Sequence, residues 1–203
     1  MPESQMTYGL EHVRVLDFDE SVRKTPGMYF GVARENPELA TRVLCAVLSH
    51  ALHPAAAVAP AHTPWVTAQV STDLAFSVAD DQSGPWNGEG MPPLSYYGSL
   101  LGPERWLSAA AAALSTRTTV EVWDDGHGFR QELAGLRPVT APERFEGQAG
   151  KGTRVTFELD RDYFNPAAAI TTDLASLDLH GPDCRTDALA SDRLSIHDLR
   201  EPT

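Results

Sequence analysis

His50 and His53 stand three residues apart in Val47-Leu48-Ser49-His50-Ala51-Leu52-His53, which puts two imidazoles on one side of a helix with the Ser49 hydroxyl beside them. Imidazoles so spaced can hold a metal or work as an acid/base centre, but a metal needs a third ligand, and only Asp80 is a candidate. The alternative is a structural histidine pair. Asp80 ends the run Ser77-Val78-Ala79-Asp80-Asp81, where an aspartate either closes a turn or faces a ligand; Asp81 reads as a solvated turn carboxylate. Trp86 and Trp106 serve either as aromatic walls of a pocket or as core fillers, and Glu89 lies in the Gly-rich loop near them. Cys45 falls on the apolar face of the helix and has no neighbour that would make it a thiolate, so it belongs to the core. Asp124-Asp125-Gly126-His127-Gly128 has the residue types of a metal loop, yet Asp-Gly between two β-forming runs predicts a hairpin turn.

These residues depend on a small set of elements. Leu39, Val43, Leu44, Val47, Leu48 and Leu52 recur at three- and four-residue steps, which predicts a helix from about 37 to 52 with one buried face. Pro54, Pro60 and Pro64 end it in a linker. Residues 65–71 and 74–79 are rich in β-formers around Thr72-Asp73 and predict a hairpin; 82–103, with its glycines and prolines, is a loop. An alanine-rich helix follows at 104–114, then strands at 118–123, 129–133 and 153–159. Beyond Asn165 the chain is polar, and a short helix at 166–178 with a loosely ordered tail is expected. The order implies an α+β two-layer sandwich, a mixed β-sheet with helices over one face. A domain over 21–164 would carry an acidic arm or lead-in strand at 1–20 and the polar segment 165–203.

Composition narrows the partners. A chain of 203 residues with 42% hydrophobic content can bury one core. Sixteen Lys+Arg against 28 Asp+Glu leave a net charge of −12, which repels phosphate backbones and argues against nucleic-acid binding. Cys45 and Cys184 lie too far apart in character and sequence to suggest a disulfide or zinc site, so a reducing cytoplasm is expected. No apolar run approaches the roughly 18 residues that span a bilayer, and no basic-then-apolar leader is visible. No membrane partner is expected.

Val22-Arg23-Lys24-Thr25-Pro26-Gly27-Met28-Tyr29-Phe30-Gly31 closely resembles the VRKxPGMYxG segment of gyrase B and topoisomerase IV ATPase domains. The resemblance runs to about Phe164 and implies the GHKL (Bergerat) ATP-binding fold. In that family a helix presents a glutamate that activates water and, a turn later, an asparagine that holds magnesium. The matching positions here are Ala46 and His50, with Ser49 and His53 where acidic residues are usual. An alanine methyl cannot accept a proton, so a working ATPase of the family type is not expected. The family's Asp-x-Gly-x-Gly, whose carboxylate reads adenine, matches Asp80, Gln82 and Gly84, with Gln82 in place of the first glycine. Thr153, before a strand, matches the threonine that joins that carboxylate at the base. At the phosphate end only Gly102 could match the glycine-rich run; Pro103 has no N–H to offer and Glu104 repels phosphate.

The resemblance therefore implies a degenerate, ATPase-deficient relative that binds a small organic or purine-like ligand in the ancestral adenine pocket. A nucleotide is admitted, triphosphate and magnesium are not expected, and no metal or other cofactor is called for. His50 and Asp80 are the catalytic candidates; Ala46, Ser49, His53, Gly84, Trp86, Trp106 and Thr153 are the ligand-binding ones. Two alternatives stay open. One is a repurposed cyclase or isomerase in which His50 and Asp80 transfer protons; the other is a non-catalytic interaction protein, with a homodimer made conceivable by the retained Val22–Gly31 segment.

Overall fold

Burial alternates along the β-rich runs as a sheet with one covered face requires. Val66, Ala68 and Val70, then Phe76, Val78 and Asp80, then Val155 and Phe157 are buried, while their neighbours Gln69, Ser77 and Glu158 are turned to the other side. The computed structural model describes residues 15–52, 65–83, 86–87, 90–177, 179 and 194–201. Among these, eight strands form one sheet: β1 (Val66–Thr72), β2 (Ala75–Asp80), β3 (Ser115–Asp124), β4 (His127–Ala134), β5 (Arg137–Pro138), β6 (Glu143–Glu146), β7 (Lys151–Leu159) and β8 (Leu194–Asp198). Their order is β5-β4-β3-β7-β2-β1-β8, with β6 paired to the first half of β4. The sheet is mixed, because β8 runs parallel to β1 whereas the other pairs are antiparallel.

The helices are α1 (Phe18–Lys24), α2 (Gly27–Phe30), α3 (Leu39–Leu52) and α4 (Trp106–Ala113). The apolar stripe of α3 lies on β1 and β2, and α4 lies on β3 and β7. All of Ala109–Ala113 is buried, and side chains this small let α4 approach the sheet closely. The α+β two-layer architecture is thus as the sequence implies, and so are the long helix, the hairpin of β1 and β2, and the β3–β4 hairpin turning at Asp125-Gly126, where both residues have positive φ.

Three local expectations need correcting. Of the segment expected as an arm or lead-in strand, residues 18–20 open helix α1, and 1–14 lie outside the described residues: Asp19 and Glu20 stand in the first turn and Arg23 and Lys24 in the last, which suits the helix dipole, and Val22 supplies the buried contact. Over 166–177 the expected helix is replaced by a turn, irregular chain and a 3-10 turn at Leu174–Ser176. There the backbone is satisfied by tertiary partners instead: Ile170 N–H donates to Asp73 O at 2.9 Å, Thr171 N–H to Thr41 Oγ1 at 3.0 Å, and Arg200 donates to Ile170 O at 2.8 Å. Lastly, residues 194–198 are not loose tail but β8, pinned by its ladder to β1 and by the Arg200 contacts.

The sequence motif at Val22–Gly31 works as a clamp. Arg23 pairs with Asp160 at 2.7 Å and donates to Ala113 O at the end of α4. Its guanidinium lies 4.6 Å from the Tyr163 ring centre, with Arg34 at 4.5 Å from the same centre, and Tyr163 Oη donates to Arg23 O at 2.8 Å. Gly31, at φ 77°, ends α2 in the left-handed conformation that glycine tolerates best.

Candidate functional site

The Asp80 carboxylate closes β2 at the mouth of a cavity of about 310 Å³ enclosed between the inner sheet face, α3, α4 and the loop before α4. Val78, Val122 and Val155 form the floor, one from each of β2, β3 and β7; Val47 and Ala51 of α3 form a side. Pro92, Pro93, Leu94 and Ser95 roof it. Two anchors hold that roof. Buried Gln131 accepts the Leu100 N–H at 2.8 Å and donates to Gly98 O at 3.3 Å and Thr140 O at 3.0 Å. Tyr97, held at φ 57°, donates from Oη to Asp19 at 3.0 Å beneath the Arg137 guanidinium.

The polar corner of the cavity is a closed network. Asp80, whose side chain is 1% exposed, receives Nη1 of Arg105 on Oδ2 at 2.7 Å and Nη2 on Oδ1 at 2.8 Å, a bidentate pair. Oδ1 also accepts the Gln82 N–H at 3.0 Å. The Gln82 carbonyl accepts from Arg105 Nη2 at 3.0 Å and from the Thr153 hydroxyl at 2.7 Å, and its side-chain amide donates to Ala51 O at the end of α3 at 3.0 Å. Burial works against the charged Arg105 guanidinium, and the Asp80 carboxylate outweighs it, so the arginine holds its proton more firmly than usual.

The residues singled out by the sequence fall into distinct places. Asp80, Thr153 and His50 all line the cavity, and Asp80 and Thr153 are cross-strand partners. Thr153 does not reach the carboxylate with its hydroxyl, which the Gln82 carbonyl takes instead. The His50 ring is mostly buried and meets the edge of Trp106 at 5.5 Å between ring centres. Burial lowers the His50 pKa, the Arg105 charge lowers it further, and Asp80 opposes both only in part, so the ring is neutral at pH 7. Trp106 is 41% exposed and backs His50 from outside the cavity lining. Trp86 is not a wall of this cavity: it packs on Phe129 at 5.7 Å beside a second hollow formed by Asp124–Phe129 and Arg144–Glu146. Ala46 packs toward the core and Ser49 is half-buried; neither lines the cavity. His53, Gly84 and Glu89 lie outside the described residues. Cys45 is a buried core residue, and no group of three metal-ligating side chains gathers among the described residues.

Sequence reasoning missed Arg105, Gln82 and Ser108. Arg105 had a legible signal: an arginine at the start of a helix opposes the macrodipole, so a carboxylate elsewhere in the fold should hold it. Gln82 was read only as the replacement of a motif glycine, and Ser108 had no signal, because an amide and a hydroxyl declare no partner by type alone.

An aspartate ending the second strand, a threonine opposite it and a cavity between them under a helix are the arrangement that the Val22–Gly31 segment leads one to look for. The chain is similar to DNA gyrase B. It is 28% identical over 185 residues to the novobiocin-resistant DNA gyrase B of Streptomyces niveus, covering 78% of this chain and 25% of that protein. With the DNA gyrase B of Streptomyces coelicolor it shares 27% identity over 183 residues, 80% of this chain and 26% of the other. The chain thus spans about a quarter of the length of these gyrase proteins. No family model matches it. No helix among the described residues is long and apolar enough to cross a membrane.

Proposed function

We propose that this chain is a degenerate gyrase-B-like GHKL domain that holds a small organic ligand in the cavity beside Asp80 and does not hydrolyse ATP. The observation that carries this is Arg105. Its guanidinium engages both oxygens of the carboxylate that would otherwise read the amino edge of a purine, while an apolar cavity of ligand size, at the small end of the usual range, persists next to it. The residues present do not fit a magnesium nucleotide: Ala46 has no proton acceptor, and Pro103 opens the short turn before α4 where bare N–H groups would be needed. Adenine itself would have to displace a bidentate ion pair.

Calorimetric titration of the full chain with ATP and magnesium, ADP and adenosine tests this. No binding tighter than millimolar is expected for any of the three, together with no phosphate release. Tight magnesium-dependent ATP binding with turnover would overturn the proposal. In Arg105→Ala, which uncovers the carboxylate, adenosine should gain affinity.

A second reading is favoured by His50 alone. Its imidazole is neutral, faces the cavity and has no hydrogen-bond partner among the described residues, as a general base would. Asp80 is a poor partner in that chemistry, since Arg105 and the Gln82 N–H engage its oxygens. Mass spectrometry of material extracted from the purified protein separates the two: a single stable compound supports a binding module, and a substrate–product pair whose ratio changes in His50→Phe supports proton transfer.

A further inference from the structure

Most polar groups at the cavity are committed to one another, and the few that are not define what can enter. Ser108 is 5% exposed on the inner side of α4, where it lines the cavity among buried alanines, and its hydroxyl has no hydrogen-bond partner among the described residues. A helix serine can satisfy itself by returning to the carbonyl four residues back, as Ser115 does to Ala111 O at 2.9 Å, but Ser108 makes no such bond to Glu104. His50 is the second open group. Arg105 is the third: Nη1 and Nη2 are used on Asp80 and Gln82, and no acceptor takes its Nε–H. Ser108, the Ser95 hydroxyl of the roof and a neutral His50 can each donate or accept, and the Arg105 Nε–H can only donate, so an acceptor on the ligand suits all of them.

Charge decides which kind of acceptor. Asp80 already compensates Arg105, the His50 ring is uncharged at pH 7 and keeps a single N–H, and the remaining ionisable group at the lining, Glu104, is an exposed carboxylate at the rim. A carboxylate or phosphate entering here would be desolvated with no free cation among the described residues to meet it. The floor and side, Val47, Val78, Val122 and Val155, favour an apolar body.

We infer that the cavity takes a small neutral molecule whose apolar body lies on these valines and whose carbonyl-type oxygen accepts hydrogen bonds from the Ser108 hydroxyl and the His50 ring. This rests on the small-ligand function proposed above and adds the chemical class. Recognition of this kind is selective because a ligand lacking the oxygen leaves the buried hydroxyl unpaired, while one bearing a full charge loses its hydration uncompensated.

Three probes of one size test it on the full chain with labelled valine methyl groups followed by NMR: benzamide (neutral carbonyl), ethylbenzene (no acceptor) and benzoate (anion). Benzamide is expected to shift the methyl signals of Val47, Val78 and Val155 and to bind at least fivefold more tightly than either other probe. Ser108→Ala, which only extends an alanine run and so should keep the wild-type melting temperature, should weaken benzamide about fivefold and leave ethylbenzene unchanged. His50→Phe should act in the same direction. Equal binding of ethylbenzene and benzamide, insensitive to Ser108→Ala, would overturn the inference while leaving a ligand cavity in place. Benzoate binding tenfold more tightly than benzamide would overturn it in favour of an anion. If no probe moves these methyls the inference fails, and if magnesium ATP moves them instead, the proposed function fails with it.

Discussion

Arginine meets carboxylate in two contrasting regions of this molecule. On the outer face of the sheet Arg117 pairs with Glu132 and Glu158, and Arg130 and Arg154 both reach Glu121, in a ladder whose arginines are well exposed; Arg117 is 53% exposed. At the cavity Arg105 is 19% exposed and Asp80 1%, with two parallel hydrogen bonds and the Gln82 backbone sharing both partners. The same two functional groups therefore do different work. Water competes for the Arg117 pairs, so they fix little beyond strand register, whereas Glu121, 12% exposed, is the sheltered member of the ladder. At the cavity Arg105 itself closes the Asp80 carboxylate off from water, so the pair ties the start of α4 to the end of β2.

The sharpest way to break this contrast is to remove one charge from each region. Arg105→Met strands the Asp80 carboxylate and should destabilise the fold by about 3–5 kcal/mol in urea denaturation. The double change Arg105→Met with Asp80→Leu, which removes both charges, should recover most of that loss; if it is as unstable as the single change, the pair is not what sets the cost. Thr153→Val deletes one of the two hydrogen bonds to the Gln82 carbonyl while Arg105 keeps the other, and a loss of about 1 kcal/mol is expected from the same measurement.

His50 gives a smaller, pH-dependent effect with a defined sign. Its pKa is lower folded than unfolded, chiefly through burial and then Arg105, so between the two values the unfolded chain binds the proton more readily. The stability due to the neutral ring is complete above about 6.5, the unfolded value, and is lost as pH falls through the folded one. In His50→Gln the melting temperature should therefore decline less between pH 7.5 and pH 5 than in the wild type. An equal decline in both would show that the ring does not sense the cavity. Smallest of all, Arg117→Gln should leave the melting temperature unchanged within error at 0.15 M salt, where surface pairs are largely screened. A clear drop there would mean that the outer ladder is as consequential as the buried pair.

Much of the scaffold was legible because it is written in local periodicity. The three- and four-residue spacing through Leu39, Val43, Leu44 and Val47 foretold α3, and the alternation in 65–71 and 74–79 foretold β1 and β2. Asp80, Thr153 and His50 were found as a group through the family resemblance, and the fold does bring them to one cavity. Trp86 misled because an aromatic residue near a site suits a pocket wall and a core contact equally, and Phe129 offers the second. The segment 166–178 misled because its backbone groups bond to Asp73, Thr41 and Arg200, all distant in sequence, and not to one another as a helix requires.

By itself, then, the sequence determined the main helices and strands, their order and the covered face of the sheet, since these follow from side-chain type and from spacing over a few positions. Only the tertiary structure decided that Arg105 would take the Asp80 carboxylate, that Gln82 would knot it to Thr153 and α3, and that Ser108 and His50 would line the cavity with no hydrogen-bond partner among the described residues. The physical reason is that a hydrogen-bond donor does not specify its acceptor: Arg105 and Asp80 stand 25 residues apart, and only the packing of α4 against β3 and β7 brings them within 2.7 Å.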